Sequence, residues 1–148
     1  MKQAPPLVFR PANAADDPAL RALLASANLP FDDVSSERQD FIVAVRDGGM
    51  VGCGALETLD DSALLRSLAV AEQHRGAGVG GDLYERLIAR ARERGLKRLF
   101  LLTTTAAPYF ARQGFEPIDR AVAPERVTKS AQFTSLCPST ATCMVLSL

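Results

Sequence analysis

The chain has 148 residues, room for a single domain over residues 1–148 with a core that needs no disulfide or metal staple. Its 17 basic residues balance 17 acidic ones, and a net charge of 0 excludes the basic excess that general nucleic-acid or anionic-membrane binding requires. Hydrophobic residues make up 47%, yet no apolar run reaches the roughly 18 residues of a membrane span, and the opening Met1-Lys2-Gln3-Ala4-Pro5-Pro6 does not read as a secretory signal.

In chain order, residues 7–10, closed by Pro11, read as an opening strand. Asn13 or Asp16 caps a helix with Pro18 in its first turn, and Leu20, Leu23, Leu24 and Ala27 line one face. Residues 28–40 are polar and read as a loop or short helix. Residues 41–45 form a strand, Asp47-Gly48-Gly49 a hairpin turn, and residues 50–59 the returning strand, weakened or bulged at Gly52 and Gly54. After the turn at Asp60-Asp61, the apolar residues 63–70 read as a central strand. The Gly-rich stretch 73–81 then opens a long helix. Leu83, Leu87, Ile88 and Ala91 form its buried face, and Glu85, Arg86, Arg90, Glu93 and Arg94 face water. Gly95 stops that helix. Residues 99–102 are a buried strand, 103–113 a loop and short helix ending at Gly114, 115–118 a strand, 124–133 a short helix, and 142–146 a closing strand. A meander followed by β-loop-helix-β predicts an α/β or α+β sheet with helices on its faces.

The chemistry concentrates at residues 68–94. Glycines let backbone N–H groups approach phosphate oxygens, the next helix presents unpaired N–H groups and a positive dipole end, and Arg75 adds a full charge. The same pattern also serves as a plain tight connection. The P-loop spelling fails, because Gly80-Gly81-Asp82 stands where Lys-Ser/Thr is required. The dinucleotide fingerprint fails too, because the next strand ends in Leu102-Thr103-Thr104-Thr105 with no acid.

A third pattern fits. Gln73-x-x-Gly76-x-Gly78 after Leu68-Ala69-Val70 resembles the acetyl-coenzyme A signature of the GNAT N-acetyltransferase superfamily. Residues 107–115, ending in Gly114-Phe115, resemble the family's later helix-to-strand segment. The resemblance implies an α/β fold with a mixed, mostly antiparallel sheet, a splayed central strand pair and helices on both faces. It implies acetyl-coenzyme A (acetyl-CoA) as co-substrate. The pantetheine arm would pair with Leu68, Ala69 and Val70, and the pyrophosphate would sit on Arg75, Gly76, Ala77, Gly78, Val79 and Gly80. Thr103 takes the place of a frequent Asn and either bonds the arm or caps the next helix. Phe110 stands where many relatives place a Tyr acid, which leaves the preceding Tyr109 as the candidate acid or as an edge residue. A thiolate can also leave unaided.

Residues 102–110 resemble N-acetylglutamate synthase domains. Residues 65–70 and the tail 133–144 resemble the N-acetyltransferases of arsenic-resistance operons more closely. Both imply a small amine bearing a carboxylate or an arsenic or phosphorus analogue of one. The expected function is therefore acetyl-CoA-dependent N-acetylation of such a substrate, tied to arsenic detoxification. The alternatives are an N-acetylglutamate synthase and a non-catalytic binder of acetyl-CoA or a metalloid. Arg66, charged in an apolar strand, is expected to grip the substrate carboxylate or to form an ion pair with Glu57 or Asp61. It is expected to share a strand face with Leu68. Glu57 is the candidate general base or a solvated acid. Cys137 and Cys143 match no common zinc spacing, so no metal is expected. Three cysteines, an odd number, suit free thiols in the cytoplasm. The tail either packs on the sheet or is exchanged with a second copy in a homodimer.

Overall fold

The computed structural model describes residues 6–35, 39–130 and 141–148. The elements run β1 (Val8–Pro11), α1 (Asp17–Ser26), β2 (Asp40–Arg46), β3 (Gly49–Leu59), β4 (Ser62–Val70) and α2 (Val79–Glu93). They continue with β5 (Arg98–Thr103), α3 (Ala107–Arg112), β6 (Glu116–Ile118), α4 (Glu125–Thr128) and β7 (Thr142–Ser147). The strands form one sheet in the order β1-β2-β3-β4-β5-β7-β6. Among the described residues, β4 and β5 are the one parallel pair, because the crossover through α2 brings the chain back in the same direction.

Local chemistry explains the boundaries. Asn13 accepts the Ala15 N–H while Asp16 accepts the Asn13 N–H, a reciprocal cap ahead of α1. Asp47 and Gly48 both take positive φ, 53° and 77°, as a two-residue hairpin turn between β2 and β3 requires. Strand β2 alternates between two buried faces. Phe41 and Val43 join Leu20, Leu23 and Leu24 of α1, whereas Ile42 and Ala44 join Val79, Leu83, Leu87 and Ala91 of α2. A strand covered on both faces reads as one continuous apolar run, as residues 41–45 do. A smaller cluster gathers Leu64, Phe100, Ala123, Val127 and Cys143 beneath α4.

Two departures from the sequence reading concern helices. The row Arg86, Arg90, Arg94 is not simply solvated. Arg90 and Arg94 reach the two Asp40 oxygens at 2.5 and 2.7 Å, and the Arg86 guanidinium lies 4.2 Å from the Phe9 ring centroid. These contacts bind α2 to β1 and β2, so one flank of the polar face is a seam. Helix α4 covers only Glu125–Thr128, and residues 131–133 of the expected helix lie outside the described residues. Among the described residues, no helix is long and apolar enough to cross a membrane.

Candidate functional site

The parallel pairing of β4 with β5 stops early. Ser62, Ala63 and Leu64 face Arg98, Leu99 and Phe100, and beyond them the two strands part. Between them opens a cleft of about 640 Å³, with residues 65–70 on one wall and 101–106 on the other. Arg75, Phe110, Ala141 and residues 27–30, which follow α1, complete the lining.

Strand β4 bulges at the mouth of this cleft. On β3, Cys53 faces Ala69 and Ala55 faces Arg66, so Gly54 alone spans Ser67 and Leu68. Ser67 adopts φ 58°, a left-handed conformation that costs a non-glycine residue roughly 1–2 kcal/mol. The extra residue resets the alternation. Leu65 and Leu68 both pack on the α2 side, whereas Ala69 joins the α1 side. Arg66 reaches Asp33, just after α1, on that same side. The expectation that Arg66 and Leu68 share a face is therefore corrected: the bulge between them puts them on opposite faces. Ser67 and Leu68 have no partner in the β3 register, and β5 has already diverged. Apart from the Ser67 carbonyl, which accepts the Cys53 thiol, their backbone is open to a ligand here.

Arg66 is the hub of a buried polar cluster. Its side chain is 0% exposed. One terminal nitrogen donates to Asp33 Oδ2 at 2.6 Å and Glu57 Oε1 at 2.8 Å. The other donates to Asp33 Oδ1 at 2.5 Å, and Nε donates to Ser67 Oγ at 3.2 Å. A guanidinium has about five N–H donors, so these four bonds leave one. A two-pronged grip on a substrate carboxylate, expected of Arg66, is not available in this arrangement. The ion pair to Glu57 forms, the one to Asp61 does not, and Asp33 joins from 33 positions away. Burial lowers the Arg66 pKa, but the hydrogen bonds and charges of Asp33 and Glu57 outweigh it and raise the value above the ordinary one. Arg66 lines the cleft; Glu57 and Asp33 do not.

The glycine loop forms the second half of the site. Gly76 and Gly78 take φ 84° and 83°, and a Cβ at either would touch nothing within 4 Å. The conformation, not crowding, therefore demands glycine. Gly78 caps α2, whose first turn presents N–H groups without intrahelical acceptors. A second hollow of about 360 Å³ lies against this loop, lined by His74, Arg75, Gly76, residues 78–81 and Tyr109 among others. It shares Leu68, Val70, Arg75, Ala106 and Phe110 with the cleft, so the two hollows adjoin. Ala77 lies exposed between the two glycines. The Val70 carbonyl, expected to be open to a pantetheine arm, accepts the Arg75 Nε–H at 3.1 Å.

Thr103 Oγ1 accepts the Ala106 N–H at 2.9 Å, a turn bond ahead of α3 rather than a helix cap, since Ala106 is the N-cap and the helix has no side-chain cap bond; the hydroxyl hydrogen can still donate into the cleft. Phe110 is 9% exposed and stacks edge-on against Phe115. Tyr109 lines the outer hollow and not the cleft. Burial pushes its hydroxyl pKa up, with Arg112 opposing and Glu85 adding to the rise, so it holds its proton at neutral pH. Cys53, whose thiol donates to the Ser67 carbonyl, is pushed by burial up to about 12, and Cys143 up to about 11. Cys137 lies outside the described residues, as does most of the tail that resembles the arsenic-resistance enzymes.

Residues 37–117 match the family described as Acetyltransferase (GNAT) domain, which is more than half of the chain. The chain belongs to the GNAT acetyltransferase family. Acetyl-CoA is the family's co-substrate. The amino-acid acetyltransferase of Pseudomonas fluorescens (strain Pf0-1) is 45% identical over 83 residues, 55% of this chain and 19% of that one. That of Azotobacter vinelandii is 46% identical over 79 residues, 52% of this chain and 18% of that one. The chain thus matches less than a fifth of the length of these relatives. Among solved structures, the N-acetylglutamate synthase from Neisseria gonorrhoeae, complexed with coenzyme A and N-acetyl-glutamate, aligns with a TM-score of 0.82 at 27% identity. That alignment covers 99% of this chain and 36% of the synthase. Rv2747 from Mycobacterium tuberculosis, in complex with CoA and NLQ, aligns at 0.79 with 30% identity over 95% of this chain and 99% of its own. The two curated relatives are named amino-acid acetyltransferases and the Neisseria protein an N-acetylglutamate synthase, the group that residues 102–110 resemble, and none of these names points to arsenic resistance.

Proposed function

We propose that this GNAT domain transfers the acetyl group of acetyl-CoA to the α-amine of a small free amino acid. The observation that carries the reading is the cleft of about 640 Å³ where β4 and β5 part, with the bulge at Ser67 and Leu68 in its wall and residues 27–30 beside it. Its volume falls in the range of about 300–1,000 Å³ usual for small-molecule sites. The amino-acid acetyltransferase relatives support the same substrate class.

In this reading the pyrophosphate rests on the N–H groups of residues 75–80 and the start of α2. The pantetheine arm runs through the outer hollow, and the thioester reaches the bulge. A neutral amine attacks the thioester carbonyl. The oxyanion is held by a backbone N–H at the bulge, near Leu68, whose strained neighbour Ser67 fixes its direction. The carbon–sulfur bond then breaks, and the electron pair leaves on the thiolate. A free thiol has a pKa of about 8.5, so departure needs no acid. Tyr109, in the outer hollow, assists from there if at all. The ammonium proton leaves through water, and Glu57, bonded to Arg66, takes part only through such a relay. An arsenic-containing amino acid as acceptor is the variant supported by the resemblance at residues 65–70.

The test is thiol release from acetyl-CoA over a panel of glutamate, glutamine, arsenic- and phosphorus-containing amino acids, polyamines and a lysine peptide. A saturable rate with one or more amino acids is expected. Preference for polyamines or the peptide overturns the substrate class, and acetyl-CoA binding without turnover of any amine makes the protein a binder.

A further inference from the structure

We infer that Asp33 is a specificity-positioning residue. Through its paired bonds to Arg66 it clamps the acceptor wall to the bulge where the thioester arrives, and so sets which acceptors fit. The inference rests on the cleft being the acetyl-transfer site.

The acceptor wall is an irregular segment. Residues 27–35 follow α1 and join no strand. Four of them, Ala27, Asn28, Leu29 and Pro30, line the cleft. At its start the wall is tied by the Leu29 N–H to the Leu24 carbonyl at 3.0 Å. At its far end Val34 is buried, and Gln39 bonds the Ser35 N–H and the Asp33 carbonyl. Asp33 is the residue of the wall whose side chain crosses to β4. It meets Arg66 there with both carboxylate oxygens, at 2.5 and 2.6 Å. Arg66 immediately precedes Ser67, and its Nε–H holds the Ser67 hydroxyl. One guanidinium therefore joins the wall, the bulge and, through Glu57, strand β3. Two paired bonds fix both distance and angle, which a single bond does not.

The charge arrangement makes the clamp separable from the fold. Two carboxylates face one guanidinium, so removing the charge of Asp33 leaves Arg66 still neutralised by Glu57. The usual penalty of an orphaned buried charge is avoided. What is lost is the paired geometry, and with it the placement of residues 27–30.

The experiment compares wild type with Asp33→Asn and Asp33→Glu by steady-state kinetics and by hydrogen exchange. For Asp33→Asn the acceptor KM is expected to rise about tenfold or more, with the acetyl-CoA KM held within about twofold. Amides of residues 29–34 should exchange about tenfold faster, while those of α2 and β3 are unchanged. Asp33→Glu, which keeps the charge and the two oxygens, should recover much of the acceptor KM. An equal rise in both KM values, or unchanged exchange at residues 29–34, overturns the inference. Faster exchange with an unchanged acceptor KM overturns the specificity role. If wild type acetylates no amine, the proposed function falls, whereas the exchange comparison still reads the clamp.

Discussion

Gly54 lies under α2 with no room for a side chain, and a single methyl there tests the packing around the bulge. A Cβ at Gly54 would stand 2.6 Å from Leu87 Cδ1 and 3.0 Å from Leu68 Cδ1. Carbon atoms rest at about 3.5–4.0 Å, so Leu87 must retreat by roughly 1 Å. It has nowhere to go, being 0% exposed. Overpacking of this kind costs about 1–3 kcal/mol, and replacing a strand glycine by alanine returns about 0.5–1 kcal/mol of backbone entropy. Gly54→Ala should therefore destabilise by about 0.5–2 kcal/mol. With an unfolding entropy near 2.1 cal/mol/K per residue, a chain of this length loses about 2–6 °C in Tm. Calorimetry reads that shift, and a double-mutant cycle with Leu87→Val reads its cause. Shortening Leu87 should relieve the crowding, so the double variant should be more stable than the sum of the singles predicts, by about 0.5 kcal/mol or more. An unchanged Tm for Gly54→Ala, or strict additivity with Leu87→Val, would refute the reasoning.

Gly78→Ala places a side chain at φ 83°, costing about 1–2 kcal/mol and weakening coenzyme A binding in calorimetry, whereas Gly81→Ala, in open space within α2, should not lower Tm. Cys53 should resist alkylation in the native protein at pH 8, since burial holds the thiol up to about 12. The sign follows: the folded state keeps a proton that an unfolded thiol loses near 9, so the contribution is whole below pH 9 and is lost as pH rises toward 12. Urea unfolding of Cys53→Ala should accordingly show a shallower loss of stability above pH 9 than wild type. Tyr109→Phe should keep kcat within about threefold, because the hydroxyl lies outside the cleft; a drop of about a hundredfold would make it the general acid.

Local patterns made most of the sheet legible. The Asp47-Gly48 turn, the continuous apolar run of residues 41–45 and the glycine loop before Val79 each state their conformation within a few residues. The bulge does not. Ser67 has no sequence mark of its left-handed φ, and only Gly54 on the facing strand hints that two residues oppose one. Without it, Arg66 reads as sharing the face of Leu68, with its guanidinium free to meet a substrate carboxylate as well as an ion-pair partner. The charge of Arg66 within an apolar strand did require a buried partner, and Glu57 was in view across the hairpin. Asp33 was not, because its bond closes over 33 residues and depends on how α1 packs on the sheet. The acceptor wall was invisible for the same reason: residues 27–30 carry no motif, and tertiary packing alone brings them to the cleft.

The most direct measurement is the fate of the acetyl group. With acetyl-CoA carrying a labelled carbonyl carbon, nuclear magnetic resonance of the products of wild-type turnover with the best amino acid of the panel should show one new α-N-acetyl amide for each thiol released. Label appearing only as acetate, or on a side-chain amine in preference to the α-nitrogen, would contradict the account.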